Sequence, residues 1–195
     1  TRIRDVADNI PKPMIPVGGY PILWHIMKYY SLFGHNEFIL CLGHQGKVIK
    51  EFFLNYEVNI SDFTISLGNK ESVYFHNKID EKDWKITFAE TGEKAMTGAR
   101  IRKIEKYLGD DQTFMLTYGD GLSDVDINQL ISYHHNHASV LTLTGVRPSG
   151  RFGEIKCTDE GVISEFNEKP QAAEGRINGG FFVCNRRIFD YLNGN

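Results

Sequence analysis

Residues Phe114-Met115-Leu116-Thr117-Tyr118-Gly119-Asp120-Gly121 form an apolar run that stops on two glycines around one carboxylate. A run of this length and content reads as a buried strand. The glycines leave backbone free of side-chain bulk, so a ligand can come close to it. In open α/β sheets, ligands sit outside the carboxyl ends of the strands. An Asp held there suits a hard cation, which prefers carboxylate and phosphate oxygens. Gly-Asp-Gly is also common turn chemistry, so the segment alone leaves both readings open.

The surrounding sequence alternates between helical and strand patterns. Pro21 to Phe33 predicts a helix, with Ile22, Leu23, Ile26, Met27 and Tyr30 at helical spacing, Pro21 at the first helical position and Gly34 as the stop. Glu37 to Leu42 reads as a strand. Gln45 to Tyr56 reads as a helix with Val48, Ile49, Phe52 and Phe53 on one face. Asp62 to Leu67, Ser72 to Phe75 and Trp84 to Ala89 read as strands between charged or Gly-Asn turns. Thr97 is placed to cap a helix that runs to Leu108, with Ile101, Ile104 and Leu108 inward. A strand over Thr113 to Tyr118, a helix over Asp126 to His135 and a strand over Ser139 to Val146 follow. Shorter strand-like pieces are Glu154 to Cys157, Val162 to Phe166 and Phe181 to Cys184, and Asn185 can cap the last helix. Neither a repeat nor a flexible linker interrupts the pattern. It predicts one α/β domain over residues 1–195 with a mixed, mainly parallel sheet flanked by helices.

Composition narrows the function classes. The 195 residues are 41% hydrophobic and 12% aromatic, enough for one packed core and too apolar for a disordered chain. A formal charge of −3 lacks the concentrated basic face that nucleic acid requires. A small anion needs only a few local Lys and Arg residues, so it is not excluded. Apolar runs all fall short of the roughly 18 residues of a membrane span. Neither a span nor a signal peptide is visible, which points to a cytoplasmic protein. Cys41, Cys157 and Cys184 lie in or beside apolar runs and read as reduced core residues. The chain opens on Thr1-Arg2 without Met and closes on Asn193-Gly194-Asn195, and it reads as part of a longer protein.

Four separated segments could carry chemistry, and each also has an ordinary explanation. In Pro11-Lys12-Pro13-Met14, two prolines hold one lysine extended, which suits a phosphate oxygen. The alternative is a solvated loop lysine. Thr91-Gly92 and Met96-Thr97-Gly98-Ala99-Arg100 bring small residues and a basic side chain to a helix start, an arrangement friendly to anions. The alternative is a cap with a surface Arg. Tyr118-Gly119-Asp120-Gly121 is followed by Asp124-Val125-Asp126, an Asp-x-Asp pattern of the kind that holds a metal–nucleotide pair. Asp126 directly precedes the apolar face of a helix, so capping is the better reading there. Glu168-Lys169-Pro170 and Asn178-Gly179-Gly180 combine a carboxylate for sugar hydroxyls, an amine for phosphate and unobstructed backbone. The alternative is a charged turn before an unrelated strand. His134, His135 and His137 lack the further ligands of a zinc site and read as a surface cluster at a helix end.

In this order, Lys-Pro-Met, Tyr-Gly-Asp-Gly, Glu-Lys-Pro and Asn-Gly-Gly-Phe-Phe resemble the sugar-1-phosphate nucleotidylyltransferases, and within them the cytidylyl branch. The resemblance takes in Pro21 to Lys28, Met96-Thr97-Gly98 and Gly150-Arg151-Phe152-Gly153, and so covers essentially the whole chain. It implies a Rossmann-like, GT-A-like nucleotidyltransferase fold whose first strand and Gly-rich loop would precede Thr1. It implies transfer of a cytidylyl group from CTP to glucose 1-phosphate, with Mg²⁺ as cofactor. Arg2, Lys12 and Asp120 would be catalytic. Thr1, Arg2, Lys12, Thr97, Arg100 and Gly119 would bind nucleotide, and Asp120 would ligate the metal. Glu168, Lys169, Asn178 and Gly179 would hold the sugar phosphate. A second metal-binding Asp would lie beyond Asn195, and several copies would assemble. Two other activities remain open from sequence: a glycosyltransferase using Asp124 and Asp126, and a non-catalytic subunit that binds a nucleotide sugar.

Overall fold

The computed structural model describes residues 10–148, 154–167 and 175–192. Two prolines shape its start. Pro11 and Pro13 frame a single 3₁₀ turn, Lys12–Met14, closed by the Met14 N–H on the Pro11 carbonyl at 2.8 Å. A small hairpin follows, β1 (Pro16–Val17) and β2 (Tyr20–Pro21). Helix α1 spans Ile22–Leu32, with Pro21 at the cap position rather than inside the helix. Gly34 ends it in the left-handed region at φ +86°. The Gly34 N–H bonds the Ser31 carbonyl at 2.9 Å and the His35 N–H bonds that of Tyr30 at 3.2 Å, the paired closure that a glycine at this position permits.

Strand β3 (Glu37–Leu42) pairs in parallel with β6 (Lys85–Glu90), from Glu37 opposite Lys85 to Leu42 opposite Glu90. Between them lie α2 (Gly46–Leu54), the short α3 (Tyr56–Ile60) and an antiparallel hairpin of β4 (Phe63–Ser66) and β5 (Asn69–Phe75). The single helix read over Gln45 to Tyr56 is thus two, broken at Asn55. Helix α4 covers Thr97–Ile104 and continues as a 3₁₀ turn, Glu105–Tyr107. Thr97 is its first residue. Met96 holds the cap position, so the expected Thr97 cap is not made. Strand β7 (Thr113–Leu116), α5 (Ile127–His137) and β8 (Leu141–Val146) complete this half. A hairpin of β9 (Glu154–Cys157) and β10 (Ile163–Asn167) precedes the long β11 (Ile177–Asn185). β11 lies between β7 and β8 and is antiparallel to both, so β7 and β8 run in the same direction. Asn185 caps the closing 3₁₀ segment Arg186–Asp190, its side chain accepting from the Arg187 N–H at 2.9 Å.

The alternation of side chains along β3 builds two core layers. Phe38 and Leu40 pack with Met14, Leu23, Met27, Leu42 and Ile49. Ile39 and Cys41 face the other way, toward Ala89, Ile101, Ile104, Leu108 and Phe189. Phe114 and Leu116 of β7 join that second layer. Met115 packs with Ile26, Tyr30, Ile127 and Phe181. One face of α1 therefore bridges the two sheets, Leu23 and Met27 on one side and Ile26 and Tyr30 on the other. The result is the mixed α/β architecture with helices on both sheet faces.

Two local expectations are corrected. Cys157 is exposed, because the β9–β10 hairpin has little cover; Cys184 is buried and Cys41 half-buried. His134 is buried at 3% exposure, its Nδ1 2.9 Å from Thr142 Oγ1, so the three histidines are not one surface cluster.

Candidate active site

Three of the singled-out segments meet at the end of β7. Gly119 lies under the Pro11–Pro13 turn: a Cβ placed on it would be 3.1 Å from Pro13 Cγ. Met14, from the same turn, packs with Leu42 at the end of β3. The turn that carries Lys12 thus sits across the carboxyl ends of both strands. On the other side, Asn178 Nδ2 donates to Tyr118 Oη at 3.1 Å. Gly180, at φ +87°, is so close to the Tyr118 ring that a Cβ would lie 2.9 Å from its Cδ2. Tyr118 meets Phe182 edge-on at 5.8 Å, with planes at 86°. Residues 60 positions apart therefore form one wall.

Lys12 and Asp120 are exposed at this junction, and neither side chain makes a hydrogen bond or ion pair among the described residues. An amine and a carboxylate left unpaired beside glycine backbone are open to a charged ligand. Gly179 is close-packed: a Cβ there would meet Val146 Cγ1 at 2.9 Å and the Thr144 carbonyl at 3.0 Å. Its requirement for glycine comes from the neighbouring strand β8 as well as from any ligand.

Arg100 has a different setting. Its Nη1 donates to Thr91 Oγ1 at 2.8 Å and to the Leu42 carbonyl at 3.1 Å. Its Nε donates to the Ala95 carbonyl at 3.0 Å, and Nη2 to that of Glu93 at 3.2 Å. The guanidinium lies over Gly43, where a Cβ would be 2.6 Å from Nη2. Thr91 is fully buried, donates to the Leu42 carbonyl at 2.7 Å, and its own carbonyl accepts from Lys103 Nζ at 2.7 Å. These bonds fasten the segment after β6 to the end of β3. Four of Arg100's five N–H donors are thereby engaged within the protein. Thr97 is exposed at the start of α4.

The Asp-x-Asp pattern divides as its position suggests. Asp126 caps α5, Oδ1 accepting from the Gln129 N–H and Oδ2 from Gln129 Nε2, each at 3.0 Å. Among the described residues, no group of three His, Cys, Asp or Glu side chains is gathered for a metal. Thr1, Arg2, Glu168, Lys169 and the Gly150–Gly153 motif lie outside the described residues.

Sequence reading placed Tyr118, Gly180, Pro13 and Thr91 within the four segments but gave them no role; Tyr118 and Gly180 form the wall, Pro13 packs on Gly119 and Thr91 holds Arg100 at the end of β3. Tyr118 lies two residues before the key carboxylate. Its partner Asn178 was itself singled out, but nothing local links the two. Glu81 was also missed. It is buried, accepts from Lys28 Nζ at 2.6 Å and from Tyr56 Oη at 3.1 Å, and so ties the segment before β6 to α1 and α3.

A fold with helices on both sheet faces, and an unpaired amine and carboxylate at the carboxyl ends of its strands, belongs with enzymes that handle phosphorylated nucleotides. The family model described as nucleotidyl transferase matches residues 1–195, and the chain belongs to that family. It is 42% identical over 192 residues to the glucose-1-phosphate cytidylyltransferase of Salmonella typhi, covering 98% of this chain and 74% of that protein. It is 28% identical over 191 residues to the D-glycero-alpha-D-manno-heptose 1-phosphate guanylyltransferase of Aneurinibacillus thermoaerophilus, covering 97% of this chain and 72% of that protein. Among solved structures, HddC from Yersinia pseudotuberculosis shares the fold at TM-score 0.63 and 22% identity, over 98% of this chain and 74% of that one. UDP-glucose pyrophosphorylase in complex with UDP-glucose does so at TM-score 0.61 and 16% identity, over 98% and 74% of the two chains.

Proposed function

We propose that this chain transfers the cytidylyl group of CTP to glucose 1-phosphate, releasing pyrophosphate and forming CDP-glucose. The observation that carries this reading is the contact of Pro13 with Gly119, which brings an unpaired Lys12 and an unpaired Asp120 to one junction. The similarity to cytidylyltransferases over 98% of the chain supplies the base and the sugar.

The chemistry suits these residue types. An oxygen of the sugar phosphate attacks the α-phosphorus in line. One P–O bond forms to it as the bond to the β-phosphate oxygen breaks, and the bonding pair leaves with pyrophosphate. The attacking group is already an oxyanion, so no strong base is needed. Positioning and charge neutralisation supply most of the acceleration. Lys12 offers a compact ammonium to the triphosphate. Asp120 is the residue that would hold Mg²⁺. A lone carboxylate fits this ion, which is commonly held by one or two carboxylates together with substrate phosphates and water. Bound there, magnesium supplies charge neutralisation on the phosphates. Gly119 leaves backbone close to the nucleotide, with Thr97 at a nearby helix start and Arg100 holding the adjoining segment. Asn178 and Gly179 line the sugar-phosphate side, and Arg2, Thr1, Glu168 and Lys169 join them by motif. An assembly of several copies and a cytoplasmic location belong to the same proposal; no helix among the described residues is long and apolar enough to cross a membrane.

The test is release of pyrophosphate from CTP, Mg²⁺ and glucose 1-phosphate, with the nucleotide-sugar product identified. Binding without turnover would favour a non-catalytic subunit instead. Release of a nucleoside diphosphate from a nucleotide sugar would favour a glycosyltransferase, although Asp126 is already engaged as a helix cap.

A further inference from the structure

Hydrogen-bond polarity fixes the state of Tyr118. The Gly180 N–H is a donor, and it points at Asn178 Oδ1 at 2.9 Å. That end of the carboxamide must therefore be its oxygen. The nitrogen end then faces Tyr118 Oη at 3.1 Å and donates to it. With the phenolic oxygen acting as acceptor, its own proton must go to another group. Among the described residues no acceptor takes it. The ring is held by Gly180 on one side and by Phe182 edge-on, and it is 44% exposed beside Gly119 and Asp120.

We propose that Tyr118 is a substrate-contacting residue, its phenolic O–H donating to an oxygen of the sugar phosphate while Asn178 holds that proton outward. This rests on the sugar-phosphate reading of the site. It gives Asn178 a second task, orienting Tyr118, that its motif does not reveal. It also joins the carboxylate loop to the sugar side through one pre-set donor, so little ordering remains when substrate arrives.

The test is steady-state kinetics of the protein with CTP, Mg²⁺ and glucose 1-phosphate. Tyr118→Phe keeps the ring against Gly180 and Phe182 and removes only the hydroxyl. KM for glucose 1-phosphate should rise roughly tenfold, the scale of one hydrogen bond, with KM for CTP unchanged. An unchanged KM for glucose 1-phosphate overturns the proposal. So does an equal rise in both constants, which a general disturbance of the Gly119-Asp120 loop would produce. Asn178→Asp turns the amide donor into an acceptor and draws the phenolic proton inward. Because Asn178 also lines the sugar-phosphate side, the KM of this variant for glucose 1-phosphate should rise at least as far as in Tyr118→Phe, and the double variant should be no worse than Asn178→Asp alone. A further rise when Tyr118→Phe is added to Asn178→Asp overturns the proposal. A wild-type protein that releases no pyrophosphate from any nucleoside triphosphate defeats the functional reading itself. That failure is seen before either variant is compared.

Discussion

Pro13 rests directly on Gly119, its Cγ 3.1 Å and its Cβ 3.4 Å from where a side chain on the glycine would begin. The contact joins a turn near the start of the chain to the strand end that carries Asp120. Pro11 and Pro13 stiffen that turn, so it cannot slide aside cheaply. Gly119→Ala should therefore displace Lys12 by a few tenths of an ångström while leaving the core intact. KM for CTP should rise on the order of tenfold, because catalytic geometry is sensitive to small shifts. Thermal unfolding should be nearly unchanged. Wild-type kinetics in this variant would show that the turn does not position Lys12.

Asp120→Asn replaces an exposed carboxylate that has no partner among the described residues. Stability should change by less than about 0.5 kcal/mol, as for most surface substitutions. Turnover should fall by about 10² or more, the scale seen when an electrostatic contact to the reacting group is lost. Raised Mg²⁺ should recover part of it. Wild-type turnover would remove Asp120 from the metal-holding role.

Arg100 allows two assignments to be separated. Its guanidinium fastens the segment from Thr91 to Ala95 onto the Leu42 carbonyl through four donors. A lysine cannot reproduce that fork. Arg100→Lys should lower the urea midpoint, at a cost of about 1–2 kcal/mol for imperfectly paired groups. A raised KM for CTP with undiminished stability would instead mark Arg100 as a nucleotide ligand.

His134 introduces a dependence on acid. Burial, with a smaller push from neighbouring His135, lowers its pKa below the ordinary 6.5. Burial lowers His35 in the same direction. The unfolded chain therefore takes up these protons at higher pH than the folded one. Their contribution to stability is complete above 6.5 and declines as pH falls toward the lowered folded values. Urea midpoints should drop between about pH 7.5 and about pH 5.5, and His134→Gln should drop less. An equal drop in the variant would assign the acid sensitivity to other groups.

Local periodicity was enough for the elements around the site. The helix read over Pro21 to Phe33 is Ile22–Leu32, and the strand read over Glu37 to Leu42 has those bounds. Segments that depend on a distant partner were not legible. β11 reaches back to Ile177 because Asn178 lies opposite Gly145 on β8, whereas Asn-Gly-Gly carries no strand propensity. His134 is buried against β8, where its Nδ1 shares a hydrogen bond with Thr142 Oγ1 eight residues on. Arg100 reads as an anion ligand by position, and only the fold shows that three carbonyls from two segments surround it. At the site itself, the residue types announced phosphate chemistry. Their mutual contacts, Pro13 with Gly119 and Tyr118 with Asn178, are made only by the fold.

The most direct measurement is product analysis after mixing this protein with Mg²⁺, glucose 1-phosphate and each of CTP, UTP, GTP and dTTP in turn. CDP-glucose and pyrophosphate should form in equal amounts with CTP, and faster than any product from the other three. No pyrophosphate with any nucleotide, or faster turnover with a different base, would contradict the account.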